Sequence, residues 1–257
     1  MIIKSKDNAK LKLIRQLEKK KYRDIEEKFI VESKKFVIDA IKLGADIDFI
    51  LLDEKNSNDN LVDFFNENSQ NYFLVNHKLF NEISNTVTTQ GVIAVANQIK
   101  TEYNKKDKFI VFLDDIQDPG NLGTIIRTSL AFGADLLVLS DSTVDAYNAK
   151  TTRATAAAIF KQKIIRVKDK SEFLNLLKNN NVKIISTVVD SKKEIKNVSI
   201  DDKICLIIGN EGRGVSDEVK NLSDDLVTIK MSGDQESLNA SIAAGISIYE
   251  VSNIINN

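Results

Sequence analysis

The sequence predicts an α/β protein made of two domains. Three observations carry that expectation. Strand-type and helix-type segments alternate through the first 98 residues, and the alternation starts afresh at Lys108. A polar, charged stretch, QIKTEYNKKDK (98–108), lies between the two runs and reads as a linker over 99–107, with an exposed hairpin loop as the other reading. The length, 257 residues, suits one large domain or two ordinary ones. The expected domains are 1–98 and 108–257, without an internal repeat.

The elements follow in order. In NAKLKLIRQLEKKKY (8–22), Leu11, Leu13, Ile14 and Leu17 recur among basic residues at the spacing of an amphipathic helix. FIVES (29–33) reads as a strand and KKFVIDAIKLG (34–44) as a helix stopped by Gly44. IDFILLDE (47–54), YFLVN (72–76) and GVIAVAN (91–97) read as strands; LVDFFNEN (61–68) and KLFNEIS (78–84) read as helices between them. In the second run, strands are expected at 108–114, 135–140, 163–167, 182–189, 203–209 and 226–231. Helices are expected at 121–132, ending at Gly133, then at 151–160, 171–179 and 237–253.

Composition narrows the function classes. Formal net charge is −1, which gives no global signal for nucleic acid, although a basic patch can hide inside a neutral total. One patch does: residues 1–30 hold ten Lys/Arg against five Asp/Glu. Lys10, Lys12, Arg15, Lys19 and Arg23 are the candidates to meet phosphates, against the alternative of a solvated basic helix face. A single cysteine, Cys205, excludes a disulfide framework and points to a reducing compartment. With one histidine, His77, no His/Cys metal site is expected, and Ser-His-Asp or Cys-His schemes are weakened. The N-terminus lacks the apolar core of a signal peptide, and no apolar run nears the roughly 20 residues of a membrane span. A cytoplasmic protein is expected.

Three stretches could carry chemistry. In LIIGNEGRGVS (206–216) the spacing Gly209 to Gly214 matches a phosphate loop, but Val215 stands where that loop needs lysine. The dinucleotide pattern G-x-G-x-x-G is absent, so the stretch is either a structural turn or a loop for another ligand. In DPGNLGTIIRTSLAFGA (118–134) a proline-glycine turn leads to Asn121 at a helix N-cap, with Arg127 six residues on; a helix with one exposed arginine is the plain alternative. In SGDQESLNASIAAGISIYE (232–250), Ser237, Asn239 and Ser241 open a helix whose Ala243–Gly245 core permits close approach of a ligand or another backbone. A capped, tightly packed helix would look the same.

Taken together, these stretches resemble the three signature motifs of the SpoU-TrmH class of RNA ribose methyltransferases, in the SPOUT superfamily. All three stand in the family's order within one C-terminal domain: N-x5-R, then G-N-E-G-x-G after a strand, then S-L-N-x-S opening the last helix. SKDNAKLKLIRQL, KKYRD, FIVES and TTQGVIAV resemble the family's N-terminal substrate-binding domain from the ribosomal RNA branch, a small ribosomal-protein-like α/β module. Two positions depart from the pattern: Ser33 stands where the family usually has glycine, and Lys230 where it usually has proline.

The resemblance implies a C-terminal domain with a deep trefoil knot and S-adenosylmethionine as cofactor. It implies that Gly209, Ile229 and Leu238 line the cofactor site, with Thr187, Met231 and Asn239 as neighbours. The implied catalytic set is Asn121, Arg127, Glu211, Ser237 and Asn239, with Glu211 anchoring an arginine network. The implied reaction methylates a ribose 2′-hydroxyl, with guanosine in 23S ribosomal RNA favoured and transfer RNA the alternative. Arg127 either accepts the hydroxyl proton or positions a phosphate and the hydroxyl. The second role is energetically simpler, because a guanidinium holds its proton. A homodimer is implied, and RNA held by one subunit while the other supplies Arg127 is a possible division of labour. Two competing classes are a non-catalytic RNA-binding protein on the same fold and a nucleotide-dependent dehydrogenase; binding of S-adenosylmethionine against nicotinamide nucleotide discriminates them.

Overall fold

The computed structural model describes residues 2–57, 59–84, 89–234 and 237–256. The chain divides into two compact units, Met1–Ile99 with Tyr147–Phe160, and Lys100–Ala146 with Lys161–Asn257. The excursion Tyr147–Phe160, read from the sequence as part of the second half, therefore groups with the first unit.

The first unit begins with β1 (Ile2–Ile3), α1 (Ala9–Leu17), α2 (Lys20–Glu26), β2 (Lys28–Glu32) and α3 (Lys34–Lys42). It continues with β3 (Ile47–Asp53), α4 (Asp59–Glu67), β4 (Tyr72–Val75), α5 (His77–Ile83) and β5 (Val92–Asn97). Its sheet has the order β1-β4-β3-β5-β2; β1, β4 and β3 run parallel, while β5 is antiparallel to both β3 and β2. On α1 the residues Leu11, Ile14 and Leu17 are buried at a spacing of three and join Phe49, Leu51, Phe80 and Ile93 in the core. Each such side chain contributes about 1.5–3 kcal/mol.

The single helix expected over 8–22 is two. Lys19 adopts an extended backbone, and the Nη1 of buried Arg23 donates to the Leu17 carbonyl at 2.6 Å, satisfying the end of α1. No glycine or proline marks this break. Arg23 is thereby anchored at the end of α1 and buried, apart from the exposed basic residues Lys12 and Lys19.

Ser33 occupies φ 117°, ψ 147°, a region that costs a side chain-bearing residue about 1–3 kcal/mol. Its Oγ accepts from the Phe36 amide at 3.3 Å, a cap that glycine replaces at a cost of only a few tenths of a kcal/mol. After the extra unfolded-state entropy of glycine, Ser33→Gly is expected to stabilise the protein by about 1 kcal/mol. That corresponds to a Tm increase of about 2–4 °C. A thermal melt checks this; an unchanged or lower Tm refutes it.

The second unit is built on β6 (Phe109–Asp114), α6 (Pro119–Ala131) and β7 (Leu136–Ser140). The chain then makes its excursion through α7 (Ala149–Ala154) and a 3₁₀ turn (Ala158–Phe160) before β8 (Ile164–Val167). The unit continues with α8 (Lys170–Asn179), β9 (Lys183–Thr187), β10 (Ile204–Gly209), α9 (Asp217–Leu222), β11 (Asp225–Val227) and α10 (Ala240–Asn256). Its six strands are all parallel, in the order β11-β9-β10-β6-β7-β8. A parallel sheet is covered on both faces, which is why FIVFLD is buried throughout and ICLIIG through Ile208. Strand order reverses direction around β6 and β10. Ligand sites form at the carboxyl ends of strands at such a switch.

The alanine-rich helix expected over 151–160 stops at Ala154. Ala156 and Ala157 turn left-handed, at φ 47° and 72°, and only one 3₁₀ turn follows. Residues 237–239 are not helical, and Asn239 instead caps α10, its Oδ1 accepting from the Ser241 and Ile242 amides at 2.9 and 3.3 Å. Among the described residues, no helix is long and apolar enough to cross a membrane.

Candidate active site

All the chemistry-bearing motifs lie in the second unit, at the carboxyl ends of its central strands. The proline turn is built by local rules. Asp118 is the N-cap of α6, its side chain accepting from the Asn121 amide at 2.8 Å, and Pro119 takes the first helical position. Asn121, expected at the cap, stands inside the first turn. Its side chain is thereby released to reach outward.

The glycine-rich loop closes on itself. Asn210 and Gly214 exchange two backbone hydrogen bonds at 2.9 and 3.0 Å, and the Asn210 Oδ1 accepts from the Gly212 and Arg213 amides. A Cβ on Gly209 would stand 2.2 Å from the Val215 nitrogen and 2.3 Å from the Gly214 carbonyl carbon. The glycine is required by the return of its own loop.

A partly buried ion cluster ties this loop to the proline turn. Asp114 pairs with Gly209 in the β6–β10 register and accepts from the Ser216 amide at 2.7 Å. Lys170 bridges Asp114 and Asp115 at 2.5 and 3.0 Å. Burial works against the charges of Lys170 and Asp115. Hydrogen bonds and opposite charge prevail: the two carboxylates raise the Lys170 pKa, while Ser140 and Lys170 lower that of Asp115. The Asp115 carbonyl accepts from Asn210 Nδ2 at 2.8 Å and from Gln117 Nε2 at 3.0 Å.

On this brace the three motifs meet. The Glu211 carboxylate accepts from the Gln117 and Asp118 amides at 3.1 and 3.0 Å and from Asn121 Nδ2 at 3.1 Å. Asn239 Nδ2 donates to Asn121 Oδ1 at 3.1 Å. Burial alone would raise the Glu211 pKa, but the hydrogen bonds from Asn121 and from the loop amides hold it below the ordinary glutamate value. Glu211 thus anchors an asparagine and a turn of backbone, and among the described residues its hydrogen-bond partners include no arginine. Arg127 is exposed on α6, and its side chain makes no hydrogen bond or ion pair among the described residues.

Beside this network lies a cavity of about 540 Å³. Thr187, Gly209, Ile229, Met231, Ser237 and Leu238 all line it, together with the rest of the loop 208–215, Glu211 included. Asn239, also expected against the cofactor, is not among the lining residues and belongs to the hydrogen-bonded network. Thr187 Oγ1 is committed to the Ile207 carbonyl at 2.9 Å, and the polar lining residues include Asp190, Asn210, Glu211, Arg213 and Ser237. Sequence reasoning missed Asp114, Asp115 and Lys170: a carboxylate pair after a strand and a lysine more than fifty residues on carry no local signal of contact. The Gly245 position has room for a Cβ, whose nearest neighbour would be Thr128 Cγ2 at 4.0 Å, so glycine is not forced there by close approach.

Glu211→Gln tests the network. The amide offers a donor where the carboxylate accepted, so one loop amide loses its partner. Hydrogen bonds to charged groups are worth about 1.5–3 kcal/mol, and activity is expected to fall about 10- to 100-fold. With its pKa depressed, Glu211 stabilises the fold above the ordinary glutamate pKa and loses that contribution as pH falls through the depressed value. It therefore stays ionised across neutral pH, and the wild-type to variant rate ratio is expected to be flat from about pH 6 to 9. A ratio that changes tenfold across that range contradicts the assignment.

A parallel sheet with a cavity lined by the glycine-rich loop at its switch point, flanked by a capped-helix network, defines a ligand-binding α/β enzyme domain. The chain belongs to the SpoU rRNA Methylase family, whose profile matches residues 108–249; residues 8–94 match the MRM3-like substrate binding domain. It is 31% identical over 250 residues to the 23S rRNA (guanosine(2553)-2'-O)-methyltransferase RlmP of Bacillus subtilis, covering 97% of this chain and 98% of that protein. An rRNA methyltransferase from Sinorhizobium meliloti, also solved with AdoMet bound, shares the fold with a TM-score of 0.84 at 29% identity, over 98% of this chain and 97% of that one. The SpoU methyltransferase AviRb from Streptomyces viridochromogenes shares the fold with a TM-score of 0.84 at 23% identity, over 96% and 97% of the two chains.

Proposed function

We propose that this protein transfers the methyl group of S-adenosylmethionine to a ribose 2′-hydroxyl of RNA, with a guanosine of 23S ribosomal RNA as the target. The observation that carries this reading is the joining of Glu211, Asn121 and Asn239, from three separate motifs, into one hydrogen-bonded chain beside a cavity of about 540 Å³. The cavity fits the cofactor in size and in walls: the loop 208–215 and Ser237 for polar edges, and Ile229, Met231 and Leu238 for apolar ones. When bound, the cofactor supplies a methyl group activated by its sulfonium. The protein's part is alignment, which is worth about 7–11 kcal/mol in favourable cases. Glu211 fixes the Asn121 amide and the 117–118 backbone, and Asn239 fixes the other end of that amide. Ser237, at the cavity wall, faces the incoming nucleotide, and exposed Arg127 holds a substrate phosphate and the 2′-hydroxyl while the proton leaves to solvent.

The first unit is the RNA-holding part in this reading. Lys12 and Lys19 are exposed, Lys12 with an ion pair to Asp7 at 2.9 Å. Lys10 lies over the rings of Phe49 and Phe73, at 4.7 and 4.4 Å, and Arg15 donates to the Lys6 carbonyl. An exposed stripe of Ile242, Ile246 and Tyr249 on α10, continued by Leu130 and Phe132 on α6, supports a homodimer through the second unit. Phe132 and Tyr249 pack edge to face at 5.4 Å within it. The trefoil thread and a cytoplasmic setting belong to the same proposal; the buried, lone thiol of Cys205, its pKa pushed up by burial, suits a reducing compartment.

The deciding experiment is transfer of tritiated methyl from S-adenosylmethionine to 23S ribosomal RNA from a strain lacking the gene, followed by mapping of the 2′-O-methyl mark. Absence of transfer to ribosomal RNA, with transfer to transfer RNA instead, overturns the substrate. For the division of labour between subunits, Arg127→Ala chains are mixed with chains carrying glutamate at Lys10, Lys12, Arg15 and Lys19. Recovery of activity in heterodimers supports cooperation in trans, and dead heterodimers refute it.

A further inference from the structure

The first unit holds a cavity of its own, of about 400 Å³, which the proposed chemistry does not use. Its wall is cationic. Arg23, Lys150 and Arg153 line it, against the single carboxylate of Glu18, with Tyr147 and Asn148 beside them. The cations are held in place by ordinary local chemistry. Arg23 is 6% exposed and anchored through the Leu17 carbonyl at 2.6 Å. Asn148 Oδ1 accepts from the Lys150 and Thr151 amides at 2.9 Å each, and its Nδ2 donates to the Thr151 hydroxyl at 2.8 Å. Lys150 and Arg153 stand at i and i+3 on α7, hence on one side of its turn, and both are exposed while Thr151 and Thr152 are buried.

Three cations lining one concavity favour an anionic ligand there. An aromatic ring at the same wall suits a nucleotide, whose base can stack while its phosphate meets the cations. We propose that this cavity holds a nucleotide of the RNA substrate, with its phosphate at Lys150 and Arg153, Arg23 behind them, and its base against Tyr147. The proposal rests on the RNA reading given above and adds to it a contact made by the excursion between β7 and β8, outside the basic N-terminal thirty residues.

The test is a full-length chain carrying Lys150→Glu and Arg153→Glu, titrated with transcribed 23S ribosomal RNA fragments between 50 and about 200 mM salt. RNA affinity is expected to fall at least tenfold, and the slope of log K on log salt to shrink by about 1.5, the value for two lost phosphate contacts. S-adenosylmethionine affinity and the thermal melt stay as in the wild type, and Lys150→Arg with Arg153→Lys keeps RNA affinity within about threefold, since it keeps the charges. Unchanged RNA affinity and slope in a folded double-glutamate chain overturn the site. Should that chain not fold, Arg153→Gln alone is read in the same way, with less than about threefold loss overturning the proposal. A wild-type chain that binds no ribosomal RNA removes the functional reading and this site together; a wild type that binds and methylates, matched by its variant, removes this site alone.

Discussion

Arg127→Ala is expected to abolish methyl transfer while S-adenosylmethionine affinity stays within about tenfold, or about 1.4 kcal/mol. The selectivity follows from geometry. Arg127 is exposed on α6, does not line the 540 Å³ cavity, and its side chain makes no hydrogen bond or ion pair among the described residues whose loss would disturb the fold. Its guanidinium is therefore available to substrate alone. Misplacement of a reacting group by about 1 Å costs on the order of 10²-fold, and removal of the group that places the 2′-hydroxyl costs more. Calorimetry reads the first half of the prediction and a tritiated-methyl assay the second. Turnover by the alanine variant within tenfold of wild type would end the assignment, and a simultaneous collapse of cofactor affinity would move Arg127 into the cofactor site.

Gly209→Val is expected to lower S-adenosylmethionine affinity at least about 100-fold, near 2.7 kcal/mol, with RNA binding within about threefold of wild type. The first atom of the new side chain would meet backbone at 2.2 and 2.3 Å, and backbone cannot turn aside as a flexible side chain can. The loop would have to open at the Asn210–Gly214 bridge, which also sets the cavity wall and carries Glu211. Most of the RNA contact is proposed for the other unit, whose basic residues do not belong to this loop. Calorimetry with cofactor and filter binding with ribosomal RNA separate the two effects. Undiminished cofactor affinity in the variant would mean that the loop's closure is irrelevant to the site.

The two departures from the family's pattern have different structural weight. Ser33 stands at a backbone conformation that favours glycine, so that position was a stability question visible in the sequence only through the resemblance. Lys230 is exposed and reaches Glu194 at 3.6 Å, a surface pair worth about 0–1 kcal/mol.

Much of the architecture was legible in the chain itself. Continuous apolar runs such as FIVFLD and ICLIIG mark strands covered on both faces, and their alternation with amphipathic segments specifies a parallel α/β sheet, because each residue's environment follows from local periodicity. Asn121, Glu211 and Asn239 were legible as candidates through their motifs. Their partnership was not, because they lie 90 and 118 residues apart in sequence and meet only when β6 and β10 pair. The same holds for Lys170 across from Asp114, for the Leu17 carbonyl that draws Arg23 inward, and for the segment Tyr147–Phe160 that leaves the second unit to pack with the first. Sequence determined which segments are strands and helices and which residues carry reactive or hydrogen-bonding groups. Tertiary structure decided which of those groups face one another, since hydrogen bonds and ion pairs depend on distances of about 3 Å that only the packed sheet brings into being.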